Sequence, residues 1–363
     1  MRVNTALNPS RRFYELDLIR FVAAFAVMMY HYTYRGTLPG GYLPFKFPIL
    51  GPVFQYGDLG VPLFFIISGF VILMSAQKRE WLGFAISRIV RLYPAYWFSV
   101  TLTAIVILMA QNNRFSVGPV QYLANLTMIQ QLFNIQDVDG VYWSLYVELI
   151  FYFWVFLISI TRQITKADKI LGVWLAASVA INVFGGLTFT DLDFWILPRW
   201  SCYFIAGGAF FLIHQRGPSV YLATLALVSY VQAIGLEVEY LERGNPYVVG
   251  GLISLFFLVF AAISLDWTPP VKAPWMISAG LLTYPLYLIH QNIGYLLLAE
   301  LHGTIPRLWS VAVVVTIMLA GSYLIATQIE RPLGSLLKKG ASRLLAIIAA
   351  VHPSLKIQAA EQR

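Results

Sequence analysis

Four side chains that can move or hold a proton lie inside apolar sequence: Arg20, His31, Glu148 and His290. Arg20 and His31 share the run FYELDLIRFVAAFAVMMYHYTY at 13–34, Glu148 lies in WSLYVELIFYFW, and His290 lies in YPLYLIHQN. Hydrocarbon tolerates such groups only where they face protein or a watery cavity. A neutral imidazole accepts a proton from a hydroxyl, and a second imidazole or a carboxylate orients it, the usual division between a general base and its partner. Arg20 and His31 are eleven residues apart, so on a helix they fall about 20° apart around the axis and about 16 Å apart along it. The plainer reading is that Arg20 reaches to lipid headgroups and that each histidine is a satisfied core residue.

A polytopic all-α membrane protein must position these groups. Of the 363 residues, 59% are hydrophobic and only 12% charged, about half the charge of a soluble domain. Ten segments read as spans: roughly 14–34, 59–76, 93–111, 141–161, 170–187, 195–213, 219–236, 246–265, 275–299 and 308–328. They follow one another too closely for a separate soluble unit, so 1–337 reads as a single membrane domain and 338–363 as a basic cytoplasmic tail lying on the inner leaflet. Arg11 and Arg12 before an apolar core resemble a signal peptide, but the core is long and no small-residue cleavage site follows, so the segment is expected to be retained.

Base is concentrated on one parity of connections, which holds Arg2, Arg11 and Arg12, then Lys78, Arg79, Arg88 and Arg91, then Arg162, Lys166 and Lys169, then Arg216, then Lys272, then Arg331, Lys338, Lys339 and Arg343. The positive-inside rule therefore predicts that both termini are cytoplasmic and that the two longest loops, 35–58 and 112–140, face outward. The first, rich in Gly, Pro and aromatics, is expected to form a packed cap that could help shape an acceptor cleft. With these directions His31, Glu148 and His290 fall at one level in the outer part of the bilayer. Arg88 and Arg91, three apart in the inner loop 77–92, would present two guanidinium forks on one side, suited to phosphate or to anchoring at the headgroups.

The formal charge of +8 does not point to nucleic acid, because the basic residues sit in short loops and at the ends. Cys202 is the only cysteine, which excludes an intrachain disulfide. No Cys/His cluster has metal-ligand spacing, so neither a metal nor a bound cofactor is expected. Two other classes remain open: a proton-coupled transporter using Arg20, Glu148 and the histidines as a path, and a non-catalytic partner in polysaccharide export.

The combination resembles the acyltransferase-3 family of integral membrane acyltransferases, which includes bacterial O-antigen and exopolysaccharide O-acetylases. The similar segments, in order, are LDLIR with Arg20 ten residues before His31, GVPLFFIISGFVI, SRIVRLYPAYW with its RxxR, WSLYVELIFYFW and YPLYLIHQN. Pro62 and Leu149 stand where many members carry acids. The resemblance implies a cytoplasmic acyl-CoA donor, with acetyl-CoA expected, and a glycan or lipid-linked oligosaccharide acceptor at the outer side of the cell inner membrane. It also implies Arg88, Arg91 and Arg20 on the donor, His31 as base, and Glu148 or His290 orienting the base or the sugar.

Overall fold

The computed structural model describes residues 13–110, 114–184, 194–239, 244–268 and 273–351. Arg2, Arg11, Arg12, Lys272 and the last twelve residues of the basic tail lie outside them. The described residues are helical and contain no β-strand. In chain order the α-helices are α1 Tyr14–Thr33, α2 Leu50–Phe54, α3 Gly60–Gln77, α4 Trp81–Ala110, α5 Pro119–Asn125, α6 Trp143–Ile160, α7 Ala167–Phe184, α8 Ser201–Arg216, α9 Val220–Glu239, α10 Pro246–Ser264, α11 Pro274–Ile289, α12 Gln291–Glu300, α13 Arg307–Leu324 and α14 Arg331–Val351.

Eight helical stretches among the described residues are long and apolar enough to cross a bilayer. Two of the ten predicted spans are not among them. One is α1, interrupted in its hydropathy by Asp17, Arg20 and His31; the other, expected to run unbroken over 275–299, is divided at His290 into α11 of 16 residues and α12 of 10. A third difference concerns the inner loop. The helix predicted to begin at 93 begins at Trp81 and runs 30 residues through Pro94, so Arg88 and Arg91 are helical and the connection shrinks to a few residues. Pro94 costs that helix one hydrogen bond, and the helix continues through it.

The chain divides into two compact units. The first takes residues 1–30, 53–74 and 165–281. Its hub is α8, buried from Ser201 to Ile213 and packed on α7, α9 and α10. Two glycines allow α3 and α8 to touch through their backbones: a Cβ on Gly69 would lie 2.1 Å from the Phe204 carbonyl oxygen, and one on Gly207 would lie 2.0 Å from that of Ile66. Close approach through small residues is how helices associate where lipid removes the hydrophobic drive.

The second unit takes residues 31–52, 75–164 and 282–363. Here α4 packs on α5, α6, α12 and α14. The helical path of α13 continues through a π-helical segment, Ile325–Glu330, into α14, which crosses residue 338 without a break. The part of the 35–58 loop in this unit is packed, as its composition predicts. Leu43 N donates to Gly36 O at 2.7 Å, Gly41 N to Leu38 O at 2.7 Å, and Phe45 stacks on His302 with ring centroids 4.7 Å apart. In the 112–140 loop, Asn125 bonds Gln136 O and Val138 N, each at 2.9 Å, and Asp137 accepts from Gln130 and Gln131.

Candidate functional site

The second unit brings the two predicted histidines together. The last turn of α1 carries His31, and the junction of α11 and α12 carries His290; their ring centroids are 5.2 Å apart at an interplanar angle of 53°. Sequence reasoning missed their third member, Tyr295. Its Oη lies 2.8 Å from His31 Nδ1, and its ring centroid is 5.9 Å from that of His31. Tyr295 sits on α12 five residues after His290, and the interruption at His290 means that no simple helical period predicts its direction.

His290 is fully buried, and its tautomer follows from its partners. Nδ1 lies 2.9 Å from Tyr287 O and 3.2 Å from Leu286 O. Carbonyls only accept, so Nδ1 carries the proton and Nε2 carries the lone pair. That Nε2 is buried and has no hydrogen-bond partner among the described residues. A bare lone pair next to a second imidazole is the arrangement a proton acceptor needs.

A polar series leads from this pair along α6. The Tyr287 ring lies 5.6 Å from that of His290, and its hydroxyl meets Ser144 Oγ at 2.7 Å. Glu148 is one turn farther along α6, about 6 Å, and accepts from Tyr152 Oη at 2.7 Å. The Tyr152 ring lies 5.9 Å from the Arg88 guanidinium, whose other aromatic neighbour is Phe84 at 5.8 Å. Glu148 is therefore tied by hydrogen bond to the tyrosine that faces Arg88, an i, i+4 pair that its own helix spacing supplies. Arg91 pairs with Glu330 at the end of the π-helical segment and lies 5.7 Å over the Tyr284 ring. Glu330 was not singled out from sequence; it lies 239 residues from Arg91 along the chain. Arg20 is half-buried on α1, the same continuous helix as His31.

A family described as an acyltransferase domain matches residues 13–327. The chain belongs to the acyltransferase-3 family. Among similar curated proteins, nodulation protein 10 of Rhizobium leguminosarum bv. viciae is 24% identical over 347 residues, covering 84% of this chain and 89% of that protein. ORF330 of Acidianus two-tailed virus, which carries the name acetyltransferase, is 23% identical over 271 residues, covering 72% of this chain and 79% of its own. No solved structure matches the chain. The protein is an acyltransferase enzyme with several apolar helices, a multi-pass membrane protein.

Against the ring face of Tyr295 the acyltransferase carries an aromatic stack. Tyr42 lies against Tyr295 with centroids 4.7 Å apart and 23° between planes, and against Phe115 at 4.7 Å and 14°. Tyr42 also lines a cavity of about 450 Å³ with Leu38, Gly40, Gly41, Leu43 and Arg114. Among the described residues no group of three or more His, Cys, Asp or Glu is placed to hold a metal ion. Just before α6, Asp139 is fully buried. Burial pushes its carboxyl up to about 7, against the opposing pull of the Asn292 and Val141 amides. Burial also raises Asp137, and the bonds from Gln130 and Gln131 act the other way.

Proposed function

We propose that this acyltransferase moves an acyl group, acetyl in the simplest case, from a cytoplasmic acyl-CoA to a glycan hydroxyl at the outer side of the inner membrane. The observation that carries the reading is the polar series within one unit, from the paired arginines at Arg88 and Arg91, through Tyr152, Glu148, Ser144 and Tyr287, to the two histidines. An enzyme that takes its donor and acceptor from opposite faces needs polar groups spaced along such a route, and hydrocarbon otherwise excludes them.

In this reading Arg88 and Arg91 hold the donor's phosphates with charge-assisted hydrogen bonds, and Arg20, by its place at the inner end of the first span, is assigned to the donor's entry. Glu148, through Tyr152, steadies the Arg88 side of the route. His31 takes the proton of the acceptor hydroxyl while that oxygen attacks the thioester carbonyl. The carbon–sulfur bond breaks, and the departing CoA thiolate takes up the proton held by the imidazole. Tyr295 orients His31, and His290 Nε2 receives a hydrogen bond from the acceptor. The cavity beside Tyr42 would admit the glycan from the packed cap. The name of one relative, an acetyltransferase, supports acetyl as the group transferred. The test is mass spectrometry of the surface and secreted glycans of the host with and without this protein. The reading expects an acyl increment only in its presence; identical glycan masses would overturn it.

A further inference from the structure

In an unbroken helix the Asn292 amide would donate to the Leu288 carbonyl four residues back. Here each is held from outside. Asp139 Oδ2 accepts the Asn292 N–H at 3.0 Å, and Tyr142 Oη donates to Leu288 O at 3.3 Å. The His290 carbonyl accepts from Tyr32 Oη at 2.7 Å, and the Asn292 side chain donates to Val138 O at 2.9 Å. A side chain inserted into the hydrogen-bond ladder is a recognised cause of a helix interruption.

Asp139 and Tyr142 bracket a single turn that lies directly against the interruption, with Gly140 facing the end of the Gln291 side chain. The second oxygen of Asp139 accepts the Val141 N–H at 3.2 Å, so the carboxylate is fixed at both ends. Burying a carboxylate is costly even when it is hydrogen-bonded. A helix meant only to cross the membrane would close its own ladder at no such cost.

We propose that Asp139 is a positioning residue for acyl transfer: it wedges the α11–α12 ladder open so that the His290 ring turns its Nδ1–H onto the Leu286 and Tyr287 carbonyls and leaves Nε2 bare beside His31. This rests on the reading of the histidine pair as the site of acyl transfer. Tyr142, Tyr32 and Asn292 satisfy the groups that the wedge frees.

The test uses the full-length enzyme in detergent with acetyl-CoA and a glycan extract of the host membrane. In Asp139→Ala, the Asn292 amide can return to Leu288 and the imidazole loses its setting. A misplacement of about 1 Å costs on the order of 10²-fold, so kcat should fall by about that factor while KM for acetyl-CoA stays within about twofold. Asp139→Asn keeps one oxygen for the Asn292 amide and should recover at least about tenfold over Asp139→Ala. Nitrogen NMR of histidine-labelled protein gives a readout independent of turnover. The His290 signal, identified by its loss in His290→Gln, should report an Nδ1-protonated ring in wild type and Asp139→Asn, and a changed ring in Asp139→Ala.

Wild-type kcat in Asp139→Ala, or an unchanged His290 signal, would overturn the proposal. So would equal loss of kcat, donor binding and folded protein in both variants, which a merely structural carboxylate predicts. His290→Gln separates the two levels of the argument. Normal acylation by that variant removes the histidine pair itself, whereas an inactive His290→Gln beside a fully active Asp139→Ala removes only the role of Asp139.

Discussion

Arg88 and Arg91 are one turn apart on α4, yet their surroundings assign them different work, and separate alanine substitutions should show it. Arg88 has the Phe84 and Tyr152 rings as neighbours, donates its Nε–H to Ser87 Oγ at 3.2 Å and faces no acid in an ion pair among the described residues, so its two terminal amino groups are available to an anion. Arg91 is neutralised by Glu330, with side-chain exposures of 40% and 9%. A charge-assisted hydrogen bond to phosphate is worth about 1.5–3 kcal/mol, so Arg88→Ala should weaken CoA binding about ten- to a hundredfold with little change in thermal stability. Arg91→Ala should instead strand the Glu330 carboxylate, one of whose oxygens, Oε2, has no hydrogen-bond partner among the described residues. Breaking a fully buried pair costs about 3–5 kcal/mol; with Arg91 partly exposed, about 1–3 kcal/mol of stability is expected, and a smaller loss of CoA affinity. Glu330→Gln in the Arg91→Ala background should restore much of that stability, because removing both partners leaves no buried charge alone. The assay is titration calorimetry with CoA on detergent-purified protein, alongside thermal unfolding of each variant. Arg88→Ala with wild-type affinity for CoA, or Arg91→Ala with unchanged stability, would refute the division of labour.

Cysteine labelling from outside, in a Cys202→Ala background, should modify probes in loop 112–140 and not near residue 80; the reverse pattern would invert every depth assigned to the histidines. Tyr295→Phe keeps the ring against Tyr42 and removes only the hydroxyl 2.8 Å from His31 Nδ1, so kcat should drop about tenfold, in line with a buried partner left unsatisfied, and KM for acetyl-CoA should hold. Asp139 has its carboxyl raised to about 7, so the folded state binds its proton more readily than the unfolded chain does, and the Asp139 contribution to stability falls as pH rises from about 4 to about 7. A thermal unfolding series in detergent should show that downward slope, and Asp139→Asn should flatten it.

The helices were legible from apolar run lengths, and a shared level for His31 and His290 was expected from counting residues into two spans that both run outward. Their contact was not legible, because lateral packing of helices leaves no local mark. The start of α4 was misplaced because Lys78, Arg79, Arg88 and Arg91 mark where charge sits and not where a helix stops; basic residues are good helix formers. The division at His290 has no local cause either, since it comes from Asp139 and Tyr142, some 150 residues away. Glu330 escaped notice because its partner is equally remote. Glu148 with Tyr152 was the one pairing that an i, i+4 reading could have found.

The central claim is that His31 accepts the acceptor's proton, and His31→Gln tests it most directly. Glutamine keeps polarity and approximate size but cannot take a proton at neutral pH. General-base catalysis is worth about 10²–10⁴-fold, so glycan acylation by this variant should fall by at least the lower figure, with protein amount and CoA binding close to wild type. A transporter would leave acylation untouched by the change, and a structural histidine would tolerate glutamine. Robust acylation by His31→Gln, at normal protein level and normal CoA affinity, would contradict the account.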